Sequence, residues 1–127
     1  MLNTVYVHEE RSDEFLTTMG KNLGAREGDV VAFGHTHKPW HRIVGGAHFV
    51  NTGSVGRPKD GDPRAGYVLL DVTGEGVEVE FVRVQYDVEE AARAILASTL
   101  PDDFAEYLRT GGRLSPLTGD SSTASHR

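Results

Sequence analysis

The chain has 127 residues, the length of one ordinary domain. Its formal net charge is −6 at pH 7 and it has no basic tract, which argues against binding to duplex nucleic acid or to anionic membranes. It contains no cysteine, so disulfides and thiolate metal sites are excluded. No apolar stretch approaches the roughly 18 residues of a membrane span and the start does not resemble a signal peptide, so we expect a soluble cytoplasmic protein.

The first half of the chain predicts one helix followed by three strands. Residues 11–24 carry apolar side chains at helical spacing, with Ser12 as the expected N-cap and Gly24 as the C-cap. The short apolar run at 29–34 predicts a buried strand. Residues 40–53 predict a β-hairpin whose glycine pair forms a tight turn.

The second half predicts a long loop, two more strands and two helices. The loop covers residues 54–65 and is rich in glycine, proline and charge. The strand at 66–72 is almost entirely apolar and is therefore expected to be buried, whereas the strand at 76–84 alternates. From Asp87 the apolar period changes to that of a helix, and a second short helix is expected to begin at Pro101.

The segment "FGHTHKPW" places two histidines one residue apart where the first strand gives way to a turn. In an extended backbone, residues two apart point to the same side, so we expect His35 and His37 to share one face. Neutral imidazole is a common ligand of divalent ions, and two on one face suit a pair of ions roughly 3.5–4 Å apart. The same pattern also fits a solvated turn or a hydrogen-bonded pair, and the spacing alone does not decide between these interpretations.

The sequence around the two histidines closely resembles the carboxyl-terminal half of the calcineurin-like metallophosphoesterases, in their small bacterial and archaeal branch. The resemblance rests on "FGHTHKP", a hairpin, and then "FVNTGSVGRPKDGDPRAGYVLLD", and it extends over residues 11 to about 110. It implies an α/β fold, a partial metallophosphoesterase-type β-sandwich flanked by helices, which is the second half of the four-layer αββα fold. We therefore expect residues 1–112 to form the carboxyl-terminal portion of such a domain and residues 113–127 to form a disordered tail.

The resemblance also implies a chemistry. His35 would bind one divalent ion and His37 a second, of Mn, Fe, Zn or Ni type, and a hydroxide between them would attack a phosphomonoester or phosphodiester. Asn51 and Ser54 lie in the family's block beside the metals and are expected to shape the site. A Gly-rich turn held by backbone hydrogen bonds is the alternative interpretation of that block, which lacks the Gly-Lys-Ser/Thr ending of a phosphate-binding loop.

The chain carries further cationic side chains and histidines with more than one possible role. Arg57, Lys59 and Arg64 are cations in an acidic chain and are candidates for phosphate contact. The acidic residues between them, Asp60 and Asp62, offer the alternative that the cations are simply neutralised. The remaining histidines are expected at the surface: His8, His41, His48 and His126.

The sequence departs from the family pattern in one respect. Family members carry Asp-x-His, Asn-His and His-Gly blocks before the His-Thr-His block, and this sequence contains none of the three. Because catalytic zinc sites typically use three protein ligands, we expect a truncated phosphoesterase with weak or no activity alone. The alternative is a non-catalytic α/β module or subunit fragment that associates, including with itself, through an exposed apolar sheet.

Overall fold

The computed structural model describes residues 6–113, which form a mixed α/β structure. In chain order its elements are α1 (Asp13–Leu23), β1 (Val30–Phe33), β2 (Trp40–Val44), β3 (Ala47–Asn51), β4 (Ala65–Thr73), β5 (Gly76–Val84), α2 (Val88–Leu96) and α3 (Asp103–Thr110). This order is the predicted one. The expected disordered tail lies outside the described residues except for Arg113, so the boundary at residue 112 stays a prediction. Within the described part, no helix is long and apolar enough to cross a membrane.

The ends of α1 are set by local capping chemistry. The Ser12 hydroxyl accepts a hydrogen bond from the backbone N–H of Phe15 at 3.0 Å, which satisfies one of the free donors of the first turn. Gly24 adopts the left-handed conformation, with φ of 76°, and its N–H bonds to the carbonyl of Lys21 at 3.0 Å. Both predicted caps are confirmed.

The first sheet has three strands in the order β1-β3-β2. β1 runs parallel to β3, and β2 runs antiparallel to it. Gly45 and Gly46, with φ of 62° and 80°, form the tight turn of the β2–β3 hairpin, as predicted. Every residue of the central strand β3 is buried, because β3 has a neighbouring strand on each side.

The main core lies between α1 and one face of this sheet. Leu16 of α1 is fully buried and packs in one cluster with three residues of the sheet, Trp40, Ala47 and Phe49. Partly buried side chains close the periphery of this cluster: Val7, Phe15, Met19, Val31, Phe33 and Val44. The helical spacing of the apolar residues of α1 therefore serves its packing on the sheet.

The second sheet is the hairpin β4–β5, and it is less buried than the sequence predicted. Leu69, Leu70 and Val72 of β4 are 50%, 40% and 59% exposed, so the expectation of a buried strand at 66–72 is wrong. A continuous apolar run predicts burial only if other elements cover both of its faces. Within the described residues β4 pairs with β5 alone, and the result is the exposed apolar sheet surface that the alternative of an association module anticipated.

The two helices at the end of the described chain pack on each other. On α2, Ala92 is buried and Val88, Ala91 and Ile95 are partly buried, which confirms most of the predicted apolar face, although Leu96 is 44% exposed. α3 begins at Asp103 rather than at the predicted Pro101, a difference within the usual uncertainty of a helix end.

The end of α3 fits closely against the long loop between β3 and β4. Gly111 ends the helix in the left-handed conformation, with φ of 71°, and its carbonyl accepts a hydrogen bond from the N–H of Gly61 at 2.9 Å. A Cβ atom on Gly111 would collide with the backbone of Asp62, so only glycine permits this approach. The contact anchors α3 to the loop that follows the conspicuous Asn-Thr-Gly-Ser segment.

Candidate functional site

The two histidines of the motif lie in the loop that follows β1, at the carboxyl end of that strand. β1 ends at Phe33, and β2 begins at Trp40. Phe33 is paired with Asn51, the last residue of the parallel strand β3, so the ends of both strands meet beside His35 and His37. This edge is where open α/β sheets place their ligands.

Both histidines adopt a left-handed backbone conformation, whereas the sequence predicted an extended one. The φ angle is 82° at His35 and 63° at His37, and within residues 6–113 these are the two non-glycine residues with positive φ. The expectation of an extended segment, and the alternation argument built on it, are therefore wrong. Histidine tolerates this region better than most side chains do, but each such residue still costs of the order of 1–3 kcal/mol. The surrounding structure has to hold the loop in this shape.

The buried amide of Asn51 supplies much of that support. Asn51 is 0% exposed, and its Nδ2 donates to the hydroxyl of Thr36 at 2.9 Å and, more weakly, to the carbonyl of Gly34 at 3.4 Å. Its Oδ1 accepts a hydrogen bond from the N–H of Gly53 at 2.9 Å. One side chain thus joins the His-Thr-His loop to the Asn-Thr-Gly-Ser turn, and the role of Asn51 in shaping a metal site stays a prediction.

His37 is oriented by the loop between β3 and β4. Its Nδ1 lies 2.8 Å from the carbonyl oxygen of Arg57, and its own carbonyl accepts a hydrogen bond from the N–H of Lys59 at 3.0 Å. Because a carbonyl can only accept, Nδ1 carries a proton, and in the neutral imidazole Nε2 then has the lone pair. A ring N–H donated to a backbone carbonyl, with the opposite nitrogen free, is the usual arrangement of a metal-binding histidine.

His35 is exposed and is held differently. The ring of Tyr6 stacks on the His35 imidazole, with centroids 4.4 Å apart and planes inclined by 20°. His8 makes an edge contact with the same tyrosine at 6.0 Å. His8 was predicted at the surface, and it is exposed. Nothing in the spacing of Tyr6 and His8 indicates that the segment before α1 lies beside the loop after β1, so their place near His35 was not predicted.

Comparison of the sequence with known protein families identifies the family of this chain. Residues 2–75 match the sequence model of the calcineurin-like phosphoesterase superfamily domain, which is more than half of the chain. The chain belongs to the calcineurin-like phosphoesterase superfamily. An uncharacterized protein of Methanocaldococcus jannaschii is 31% identical over 99 residues, an alignment that covers 66% of this chain and 40% of that protein.

Two solved structures show the same fold. A metallophosphoesterase from Sphaerobacter thermophilus matches with a TM-score of 0.58 at 24% identity, covering 74% of this chain and 46% of the other. A hypothetical protein from Pyrococcus horikoshii OT3 matches with a TM-score of 0.69 at 18% identity, covering 86% and 41%. The predicted metallophosphoesterase-type α/β fold is confirmed. The chain spans less than half the length of each of these three relatives.

Arg57 contacts the His-Thr-His loop through its backbone carbonyl, while its side chain packs on α3. The guanidinium lies over the rings of Phe104 and Tyr107, 4.8 Å and 4.9 Å from their centroids. The N–H of Arg57 donates to the Ser54 hydroxyl at 2.9 Å, which closes a local turn of the predicted Gly-rich kind. These contacts fix the carbonyl that orients His37, and the phosphate contact predicted for Arg57 stays a prediction.

Ion pairs neutralise part of the loop that follows. Arg64 donates to both carboxylate oxygens of Asp62, with Nε at 3.1 Å from Oδ1 and Nη2 at 2.7 Å from Oδ2, and Arg83 is paired with Asp60. The hydrogen bonds from Arg64 lower the pKa of Asp62 to about 2. This carboxylate therefore favours folding at neutral pH, and its contribution is lost only as the pH falls from about 3.8 towards 2. The ion pair with Asp62 thus supports the alternative that Arg64 is a neutralised cation. Lys59 is exposed, and its predicted phosphate contact stays a prediction.

The hairpin histidines form a pair outside the His-Thr-His loop. Nε2 of His41 lies 3.0 Å from Nδ1 of His48, and the ring planes differ by 11°, so the rings meet edge to edge in an N–H···N hydrogen bond. His48 is only 9% exposed, so its predicted surface position is wrong. Burial, and secondarily the charge on His48, lower the pKa of His41 below 6.5. The folded state then binds fewer protons than the unfolded one at His41, and this residue destabilises the fold as the pH drops below 6.5.

The described residues supply two imidazoles to the candidate metal site and no complete ligand set. Within residues 6–113, no group of three or more histidine, cysteine, aspartate or glutamate side chains is arranged to hold a metal ion. The Nε2 atom of His37 fits the role of a ligand, and His35, whose ring face stacks on Tyr6, lies in the same loop. Two imidazoles can provide part of a binuclear centre, and further ligands are needed to complete it.

Proposed function

We propose that the chain contributes to a divalent-metal-dependent phosphoesterase reaction, with His35 and His37 as metal ligands. Bound ions of Mn, Fe, Zn or Ni type, two in a complete site, would supply a hydroxide nucleophile and charge stabilisation for a phosphomonoester or phosphodiester. Membership of the calcineurin-like phosphoesterase superfamily supports this class of chemistry.

The observation that carries the proposal is the strained backbone of the two histidines. A protein keeps residues in an unfavourable conformation only where the surroundings enforce it, and such residues cluster at functional sites. In residues 6–113 the non-glycine residues in that region are His35 and His37. Asn51 and the Arg57 carbonyl hold the loop, and the Arg57 contact leaves Nε2 of His37 free. A solvated turn would need none of these supports.

The residues of the chain would divide the work as follows. His35 and His37 bind, Asn51 keeps the loop in shape, and the Arg57 carbonyl fixes the tautomer of His37. Ser54 closes the turn that holds Arg57. Lys59 is exposed in the same loop and is available to meet a phosphate oxygen.

Substitution of each histidine by asparagine tests the proposal. Asparagine tolerates the left-handed conformation, so His35→Asn and His37→Asn should preserve the fold while they remove an imidazole. We expect Mn²⁺ or Zn²⁺ affinity, measured by isothermal titration calorimetry, to fall at least about tenfold in each variant, a change of roughly 1.4 kcal/mol. His41→Asn, which removes a histidine from the hairpin pair instead, is the matched control and should bind as the unchanged chain does.

The same proteins are to be assayed with p-nitrophenyl phosphate and bis(p-nitrophenyl) phosphate in the presence of Mn²⁺. We expect weak or no turnover from the chain alone, because two imidazoles are fewer than the three ligands typical of a catalytic ion. Metal affinity unchanged in both loop variants would contradict the assignment of the ligands. Strong metal-dependent turnover that disappears in the loop variants would show that the chain assembles a complete site, for example as a dimer.

A second candidate function, association without catalysis, is favoured by the apolar face of the β4–β5 hairpin. Directly opposed residues share a face, and one face carries six apolar side chains: Val68, Leu70, Val72, Val77, Val79 and Phe81. Leu70, Val72 and Phe81 are 40%, 59% and 39% exposed. Exposed apolar surfaces of this kind are typical of interaction sites.

Light scattering as a function of concentration tests this second function, with Val72→Lys as the variant and Leu23→Lys as the control, since the two side chains are 59% and 64% exposed. We expect self-association of the unchanged chain and a shift towards monomer in Val72→Lys only. A chain that is monomeric throughout, yet binds metal through the loop, would exclude self-association as its function.

A further inference from the structure

Hydrogen bonds and an ion pair hold the segment before α1 against strand β2 of the first sheet. Arg42 of β2 donates from Nη1 to the carbonyl of Glu9 at 2.9 Å and also pairs with Asp13 at the start of α1. Arg11 donates from Nε to the carbonyl of Tyr6 at 3.0 Å. The position of Tyr6 is therefore set by contacts that do not involve the candidate metal site.

The imidazole of His35 is held by ring stacking against Tyr6. The two rings are stacked at 4.4 Å, whereas no side-chain hydrogen bond to His35 is formed within residues 6–113. His37 differs, because its ring is held through a nitrogen by the Arg57 carbonyl. An exposed imidazole without a restraint rotates freely, and a ligand that must be ordered on binding loses affinity.

Stacking suits a metal-binding imidazole for a chemical reason. It uses the flat face of the ring, so both nitrogens at the edge of His35 stay available, whereas a hydrogen bond would occupy one of them. It also fixes the ring plane, and with it the direction of the lone pair that a metal ion requires.

We propose that Tyr6 is a positioning residue that holds the His35 imidazole in the orientation for metal binding. The inference rests on the proposed function of His35 as a ligand and adds a residue from a different part of the chain. Tyr6 touches His35 and would not touch the metal ion.

Calorimetric titration of the full chain with Mn²⁺ alone tests the role of Tyr6 in affinity. Loss of an aromatic stacking partner should make Tyr6→Leu bind roughly three- to tenfold more weakly. Tyr6→Phe keeps the ring and should bind within about twofold of the unchanged chain. Tyr67→Leu is the matched control, because Tyr6 and Tyr67 are both 44% exposed, and it should leave the affinity unchanged. Equal affinities of Tyr6→Leu and Tyr67→Leu would overturn the proposal.

Proton NMR of the metal-free chain tests the stacking directly. We expect nuclear Overhauser contacts between the rings of Tyr6 and His35, and a shift of the His35 ring protons in Tyr6→Leu that Tyr6→Phe does not produce. Absence of both effects would overturn the proposal even if the chain binds metal. If the contacts are present but the unchanged chain binds no Mn²⁺, the metal-binding role falls for His35 and Tyr6 together, and the proposed function fails with it.

Discussion

Leu16→Ala is expected to lower the free energy of unfolding by about 2–5 kcal/mol, the usual cost of deleting a buried leucine side chain. Leu16 is 0% exposed and packs on Trp40, Ala47 and Phe49 across the interface between α1 and the first sheet. This interface is the main core of the described chain, so the surroundings have little freedom to collapse into the cavity. Urea unfolding followed by circular dichroism measures the effect.

Leu23→Ala is the matched control for this prediction. Leu23 is in the same helix and has the same side chain, but it is 64% exposed, so the expected loss is within about 0.5 kcal/mol. Equal losses for the two substitutions would contradict the packing of α1 through its Leu16 face. A large loss for Leu23→Ala alone would indicate that the exposed side of α1 is buried in solution, for example in an assembly.

Asn51→Ala is expected to cost about 2–3 kcal/mol, because the partly buried N–H of Gly53 and the partly buried hydroxyl of Thr36 both lose their partner. The effect on function should be larger than the loss of stability implies. Without the amide, the left-handed conformations of His35 and His37 are no longer enforced, and we expect Mn²⁺ affinity to fall even where the protein remains folded. Unfolding and calorimetric titration on the same preparation separate the two effects.

Two further substitutions isolate the contribution of the Asn51 amide nitrogen. Asn51→Asp keeps an oxygen for the Gly53 N–H but removes the donor to Thr36, so it should weaken metal binding through the loop. Thr52→Ala changes the exposed neighbour and is expected to stay within about 0.5 kcal/mol of the unchanged chain. If Asn51→Ala binds Mn²⁺ as tightly as Thr52→Ala does, the loop is held by other contacts and the role assigned to Asn51 is wrong.

The secondary structure of this protein was largely determined by local sequence. Ser12 and Gly24 bound α1 because one can accept a helix N–H and the other can adopt positive φ. The glycine pair at 45 and 46 makes the β2–β3 turn for the same conformational reason. The order of the elements, and the position of the His-Thr-His block after β1, followed from such local signals and from the resemblance of the motifs.

Burial was decided by tertiary structure. An apolar run cannot tell which elements lie above and below it, so β4 was predicted to be buried and is exposed. His48 was predicted at the surface, yet it lies on β3, whose five residues are all buried because the strand is central. In both cases burial depends on how the neighbouring elements are arranged, and the periodicity of a single strand carries no information about that arrangement.

The geometry of the candidate site also depended on contacts between distant parts of the chain. The types and places of His35 and His37 could be read from the sequence, but their left-handed backbone could not, since the rule for extended segments predicted the opposite. That conformation is enforced by Asn51, 14 to 16 residues further along, and by the Arg57 carbonyl. Tyr6 reaches His35 only because a hydrogen bond from Arg42 of β2 holds the segment before α1 beside that strand. Sequence determined which side chains are available, and folding decided which of them meet, because strain and stacking arise only where separate segments are brought together.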